Sequence, residues 1–180
     1  MAYNVSQKLQ DNIRAIRIAR DHANGKPLAA DDVDSLKRYA GFGGIKAILY
    51  PYGTLEDWQA NGATKEDLRH HAQIIQLHDL LKENFPDAAY KETIASLRNS
   101  VLTAFYTPEV VPQTLYKILI AQGIHPKRMY EPSAGGGVCI SEAATIFPDI
   151  EQITAVEKDR LTGLVVSAIN STLPVKATTH

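Results

Sequence analysis

The chain has 180 residues and 44% hydrophobic content, enough for one sizeable core or for one small domain plus part of another. Nineteen basic residues against twenty acidic ones leave a formal charge of -1, so the composition lacks the bulk basic signature of a nucleic-acid binder, and any DNA contact must be local or carried by further sequence. The single cysteine, Cys139, excludes an internal disulfide and a multi-cysteine metal site and fits a reducing compartment. No basic segment followed by an apolar run opens the sequence, and no stretch approaches the roughly 20 apolar residues needed to cross a bilayer. The expected location is the cytoplasm, with no membrane contact. No solenoid-period repeat or low-complexity tract is present.

From Val5 to Ala23, apolar residues at Val5, Leu9, Ile13, Ile16 and Ala19 recur at three and four, which predicts a helix ended by Gly25 and Pro27. Asp31 and Asp32 suit an N-cap and first turn, and Val33, Leu36, Tyr39 and Ala40 supply the next buried stripe before Gly41. Gly41-Phe42-Gly43-Gly44 reads as a permissive turn, either a plain reversal or a partner-contacting loop. Ile45–Leu49 adds a brief helix before the break at Pro51-Tyr52-Gly53. Thr64 with Asp67 resembles a capping box and opens one helix carrying Leu68, Ala72, Ile75, Leu77 and Leu81, which Pro86 ends. Asp87 to Leu102 repeats the helical pattern through Ala88, Ile94, Leu97 and Val101.

The pattern changes after Thr103. Thr107 as N-cap and Pro108 at the first helical position predict a helix whose face is Val110, Val111, Leu115, Ile118 and Leu119, ending at Gly123. A strand at Arg128–Glu131, a glycine-rich turn, a helix from Val138 to Phe147 and a strand at Gln152–Val156 follow. After them come Glu157-Lys158-Asp159, a helix through Ile169 and a strand at Val175. The fold class expected is α/β: an all-helical region over residues 1–102, then a partial Rossmann-like sheet over 103–180.

Gly135, Gly136 and Gly137 lie between a strand and a helix, where backbone without side chains turns tightly and comes close to a ligand. Glu157 ends the next strand, twenty positions after Gly137, and an acid there accepts hydrogen bonds from ribose hydroxyls. The pair points to an adenosine-bearing cofactor. The competing account is a turn that only lets the helix pack on the sheet, with Glu157 solvated. A dinucleotide fingerprint wants a further small residue, whereas Val138, Cys139 and Ile140 follow the glycines. Spacing alone does not separate nicotinamide from methionine-derived cofactors. No Gly-Lys-Ser or Gly-Lys-Thr follows the turn, which excludes a P-loop.

Tyr130-Glu131-Pro132-Ser133-Ala134-Gly135-Gly136-Gly137 resembles the cofactor-binding motif of adenine-specific DNA methyltransferases: acid, Pro, small residue, Ala or Cys, Gly, any residue, Gly. Upstream, Ala104-Phe105-Tyr106-Thr107-Pro108-Glu109-Val110-Val111 is similar to the segment that closes over the methionine part of the cofactor in those enzymes. Leu36-Lys37-Arg38-Tyr39-Ala40-Gly41-Phe42-Gly43-Gly44 resembles a segment ahead of the methyltransferase domain in the large methyltransferase-helicase proteins of bacterial mobile elements. The resemblance implies S-adenosylmethionine as cofactor, DNA as partner of the full-length protein, and a helicase region further along it. It implies a cofactor site of Phe105, Tyr106, Thr107, Pro108, Glu131, Pro132, Ser133, Ala134, Gly135, Gly137, Glu157 and Lys158. Within it Glu157 holds the ribose, Glu131 orients the methionine amino group, and Phe105 and Tyr106 pack over the purine or sulfonium.

The same family positions the flipped adenine with an Asn/Asp/Ser-Pro-Pro-aromatic motif, and no Pro-Pro pair occurs in this sequence. The expectation is a truncated sheet that captures cofactor but is inactive alone, with no catalytic residue in this chain. Such a sheet needs cover, either from the helices before Thr103 or from a homodimer through the exposed strand edge. The alternative function is a helical DNA- or protein-docking module with a degenerate nucleotide-binding fold; a dinucleotide-linked oxidoreductase ranks behind both. His70, His71 and His78 lack the spacing of three or four that a helical metal site prefers, and Cys139 reads as a small packed residue. Arg14, Arg17, Arg20, Lys37 and Arg38 read as a solvated face more readily than as a phosphate-binding stripe.

Overall fold

In the computed structural model, residues 4–50, 52–102, 106–173 and 176–179 are described, the last four as backbone only. Pro51, Ala104, Phe105 and Val175 lie outside the described residues. Helix α1, Val5–Ala23, starts where the Asn4 side chain accepts the Gln7 N–H, and its predicted stripe Leu9, Ile13, Ile16 and Ala19 is buried together with Asn12. Helix α2, Ala30–Lys37, begins on the expected acids, with Asp32 accepting the Ala29 N–H at 3.0 Å. A 3₁₀ turn covers Lys46–Leu49.

Two differences follow. A helix not expected from the sequence, α3 (Leu55–Ala60), forms after the Tyr52-Gly53 break because Thr54 and Asp57 cap each other's backbone N–H groups. The single helix expected from Thr64 is two, α4 (Lys65–Arg69) and α5 (His71–Asn84), separated at His70, whose ψ of 2° leaves the helical range. Helix α6 spans Asp87–Ser100. Every regular element described before residue 103 is helical, as expected.

Helix α7, Val110–Ala121, begins two residues later than expected. Glu109 precedes it, and the Pro108 carbonyl accepts the Val111 N–H at 3.0 Å, so Thr107 is not the cap. Its expected buried face is also corrected: Val110, Val111, Leu115 and Ile118 are each more than half exposed, at 63%, 52%, 52% and 53%. Pro112 and Tyr116 are the buried residues, and Leu119 is partly buried against the same cluster. The physical reason is that α7 has one main helical neighbour, α8 (Val138–Ile146), on its Tyr116 side.

Strands β1 (Arg128–Glu131), β2 (Gln152–Ala155) and β3 (Lys176–Thr179) form a parallel sheet in that order, joined through α8 and α9 (Arg160–Asn170). Met129 pairs with Ile153, and Ile153 and Ala155 are fully buried beneath Ile140 and Ala143 of α8 and Val166 of α9. On the opposite face Arg128 and Tyr130 are exposed and pair with Gln152 and Thr154, so water solvates a side that parallel sheets usually bury. The fold is thus mixed α/β, mostly helical, with a small parallel sheet.

Helix α9 joins the two regions. Its Leu161, Val165, Ala168 and Ile169 enter the core formed by Leu9, Ile16 and Leu36, while Val166 faces the sheet. Each of the leucine, isoleucine and valine side chains among them stabilises the fold by about 1.5–3 kcal/mol relative to exposure. The sequence left open whether helices or a second chain cover the sheet. The helices before Thr103 pack on α9, while α8 and α9 supply the side chains that bury Ile153 and Ala155.

Candidate functional site

The glycine turn lies at the carboxyl ends of the strands. Gly135 and Gly137 have φ of +53° and +82°, a backbone region that a side chain disfavours, and Gly137 leads directly into α8. Ala134 N–H donates to the Val156 carbonyl and Gly137 N–H to the Ala134 carbonyl, both at 2.9 Å, which ties the turn to the end of β2.

Glu157 is not a solvated loop residue. Its Oε2 accepts the Gly135 N–H at 2.8 Å and its Oε1 the Asp159 N–H at 2.7 Å. A carboxylate offers about four acceptor positions, so two remain for the hydroxyls of a vicinal diol. The same side chain that would meet a sugar therefore also braces the glycine turn.

A cavity of about 530 Å³ opens beside this pair, within the range of small-molecule sites. Of the expected residues, Tyr106, Thr107, Ser133, Ala134, Gly135, Glu157 and Lys158 line it, while Pro108, Glu131, Pro132 and Gly137 do not. Glu131 Oε1 instead accepts the Ser133 N–H at 3.0 Å. Phe105 lies outside the described residues.

The sequence reading missed a third wall, made by Ser96, Asn99 and Ser100 of α6. Their spacing of three and four puts them on one helical face, and that polar stripe was the available signal. Gly136, Val138, Cys139, Asp159 and Thr162 complete the lining. Burial first, then the Glu131 charge, pushes the Cys139 thiol up, which leaves it a poor nucleophile.

Tyr106 packs against the glycines. A Cβ on Gly135 would stand 3.1 Å from its Cδ1, and one on Gly136 would stand 3.1 Å from its Cδ2, so the ring fills the space both residues leave empty. The Tyr106 and Tyr39 hydroxyls lie 2.9 and 3.1 Å from Thr162 Oγ1. Thr162 commits its own proton to Asp159 Oδ1 at 2.7 Å, so both tyrosines donate to it. Asp159 also accepts the Thr162 N–H at 2.9 Å and the Ser96 hydroxyl at 2.8 Å. Burial is the main cause that pushes the Tyr106 phenol up to about 12, and it raises Tyr39 well above the usual tyrosine range, so both stay protonated donors.

The Gly41–Gly44 turn faces inward. Asn12 on α1 donates to the Gly41 carbonyl at 2.6 Å and accepts the Ala40 N–H at 2.9 Å, and the Gly44 N–H reaches the Val101 carbonyl at 2.7 Å. Phe42 is buried. A Cβ on Gly41, whose φ is +63°, would fall 2.5 Å from the Tyr106 hydroxyl oxygen.

Two of the three candidate histidines are held by hydrogen bonds within the helical region. His78 bridges the Ile48 carbonyl and the Tyr90 hydroxyl, each at 3.0 Å, and His71 Nε2 meets the Gly53 carbonyl at 2.9 Å. Among the described residues no group of three His, Cys, Asp or Glu is placed to hold a metal, and no helix is long and apolar enough to cross a membrane. Arg14 and Arg17 are exposed on α1, and Arg38 donates to Ser35 Oγ at 3.0 Å. Comparison with known protein families, with curated proteins and with solved structures finds no match to this chain.

Proposed function

We propose that this chain is the cofactor-binding part of an S-adenosylmethionine-dependent DNA methyltransferase acting on the exocyclic amine of adenine, built on a partial Rossmann-like sheet. The observation that carries the reading is the Glu157 carboxylate against the Gly135 N–H at the strand ends, beside a cavity of about 530 Å³ that Tyr106 also lines. Ligands of parallel α/β sheets bind at that end, and an acid following the second strand is the usual ribose acceptor. The motif resemblance selects a methionine-derived nucleoside over a dinucleotide.

In this reading Glu157 accepts the two ribose hydroxyls while its hydrogen bond to Gly135 keeps the turn open. Tyr106 and Thr107 stand at the methionine side, and the aromatic ring suits a sulfonium cation. Ser133 and the backbone of Gly135 and Gly136 supply polar groups close to the ligand. The cofactor, once bound, supplies the electrophilic methyl group. No residue here is assigned to the attack by adenine, because the Pro-Pro-aromatic motif does not occur in the sequence. DNA and a helicase region belong to the reading as features of the full-length protein.

Thermal unfolding in the presence of S-adenosylhomocysteine, S-adenosylmethionine, NAD and ATP tests the proposal. A ligand that binds only the folded chain raises the midpoint. The expected result is an upward shift with the two adenosyl compounds alone. A shift with NAD and none with them would replace the reading with the oxidoreductase alternative.

A further inference from the structure

We infer that Thr162, together with the inward-facing Tyr39–Gly41 turn, positions Tyr106 on the glycine turn, which makes the helical region before Thr103 a working part of the ligand site. Three observations converge on this, and each is independent of the motif resemblance. The Tyr106 ring occupies the space that side chains at Gly135 and Gly136 would take. Its hydroxyl shares the single acceptor Thr162 Oγ1 with Tyr39, a residue 123 positions away from Thr162 in sequence. The Gly41 backbone approaches that hydroxyl so closely that a Cβ would overlap it, and Asn12 of α1 hydrogen-bonds the Gly41 carbonyl and the Ala40 N–H.

The donation runs one way. Tyr39 and Tyr106 donate to Thr162, Thr162 donates to Asp159, and Ser96 of the α6 wall donates to the other oxygen of the same carboxylate. Asp159 is therefore the common acceptor that fixes α6, α9 and Tyr106 relative to one another. Without the Thr162 hydroxyl, the buried Tyr39 and the partly buried Tyr106 lose the acceptor they share, and Tyr106 is less restrained on Gly135. Thr162 also lines the cavity, but its hydroxyl is engaged with Asp159 and the two phenols, so the role inferred for it is to position Tyr106.

The ligand arm of the test rests on the proposed adenosyl-cofactor reading; the exchange arm does not. Thr162→Val removes the hydroxyl at nearly constant volume and Thr162→Ser keeps it. Ile16→Val, in the core that α1 shares with α9 but without a hydrogen-bonding side chain, serves as a control for general loss of stability. Hydrogen exchange at the Gly135 and Gly137 amides of the ligand-free chain is expected to accelerate about tenfold in Thr162→Val. It should stay near the parent rate in Thr162→Ser and in Ile16→Val. Affinity for S-adenosylhomocysteine is expected to fall about tenfold in Thr162→Val alone.

Equal acceleration in Ile16→Val, or a Thr162→Ser variant as impaired as Thr162→Val, would overturn the inference. If Thr162→Val does not fold, Tyr39→Phe, which removes one donor and keeps the ring, is read the same way. Unchanged exchange and affinity in Tyr39→Phe would then count against the Tyr39 link. Should the parent chain bind no S-adenosylhomocysteine, the cofactor reading fails, and the exchange rates alone still decide the role of Thr162.

Discussion

Glu157 and Gly135 are joined by a 2.8 Å hydrogen bond from the glycine amide to the Glu157 carboxylate, across the ends of two neighbouring strands. The bond gives one side chain two tasks, bracing the turn and offering its remaining lone pairs to a ligand. Glu157→Gln keeps the shape but turns one acceptor into a donor that faces a backbone N–H. Affinity for S-adenosylhomocysteine is expected to fall by about tenfold to a hundredfold, which corresponds to about 1.4–2.8 kcal/mol. Calorimetry on the two proteins checks it, and equal affinities would mean that the carboxylate only braces the turn.

Gly135→Ala separates the cost of backbone from that of packing. At a positive φ a side chain costs about 1–2 kcal/mol wherever it is placed. Gly123, with φ +74° and nothing within 4 Å of its Cβ position, reports that cost alone. Gly135→Ala carries it as well and presses on Tyr106 at 3.1 Å. Urea denaturation is expected to show Gly135→Ala as the less stable of the two variants. Equal losses would show that Tyr106 yields freely.

Much of this was legible in the sequence, and the reason differs from element to element. Helix α1 and strand β1 have the boundaries that their periodicity predicts, since both carry uninterrupted local patterns. The turn with Glu157 was legible as a spacing. The packing of Gly41 against Tyr106 was not, because a contact between residues so far apart leaves no local periodicity. Helix α7 failed in the opposite sense: its stripe is apolar and correctly spaced, yet Val111 and Leu115 face water. Periodicity reveals which face is apolar, and only the neighbours decide whether that face is covered.

That exposed stripe makes its own prediction. Leu115→Lys places a charge on a residue that is already 52% exposed, so the stability measured by urea denaturation is expected to stay within about 0.5 kcal/mol of the parent. Light scattering on heating is expected to decrease as the apolar patch is broken. A loss of several kcal/mol would show that this face is packed in solution.

His78 gives the helical core a pH dependence. Burial is the main cause that lowers its pKa from 6.5, while its ring sits between the Ile48 carbonyl and the Tyr90 hydroxyl. Residues facing it include Lys82, which lowers the pKa further, and Asp79, which raises it. The unfolded chain binds the proton more readily, so the His78 contribution is fully present above about pH 6.5 and is lost as the pH falls toward the folded-state value. The slope is at most about 1.4 kcal/mol per pH unit for one proton. Denaturation at pH 7.5 and 5.5 is expected to show a smaller difference for His78→Gln than for the parent. An equal difference would assign the dependence to other groups.

The most direct measurement is an amide-resolved NMR titration of the intact chain with S-adenosylhomocysteine. The account predicts saturable shifts at Gly135, Gly136, Glu157 and Lys158, accompanied by Ser96 and Asn99 on the α6 wall, with the Gly62 and Gly123 amides unmoved. Saturable binding that left the glycine turn and Glu157 unperturbed, or no perturbation at millimolar ligand, would contradict it.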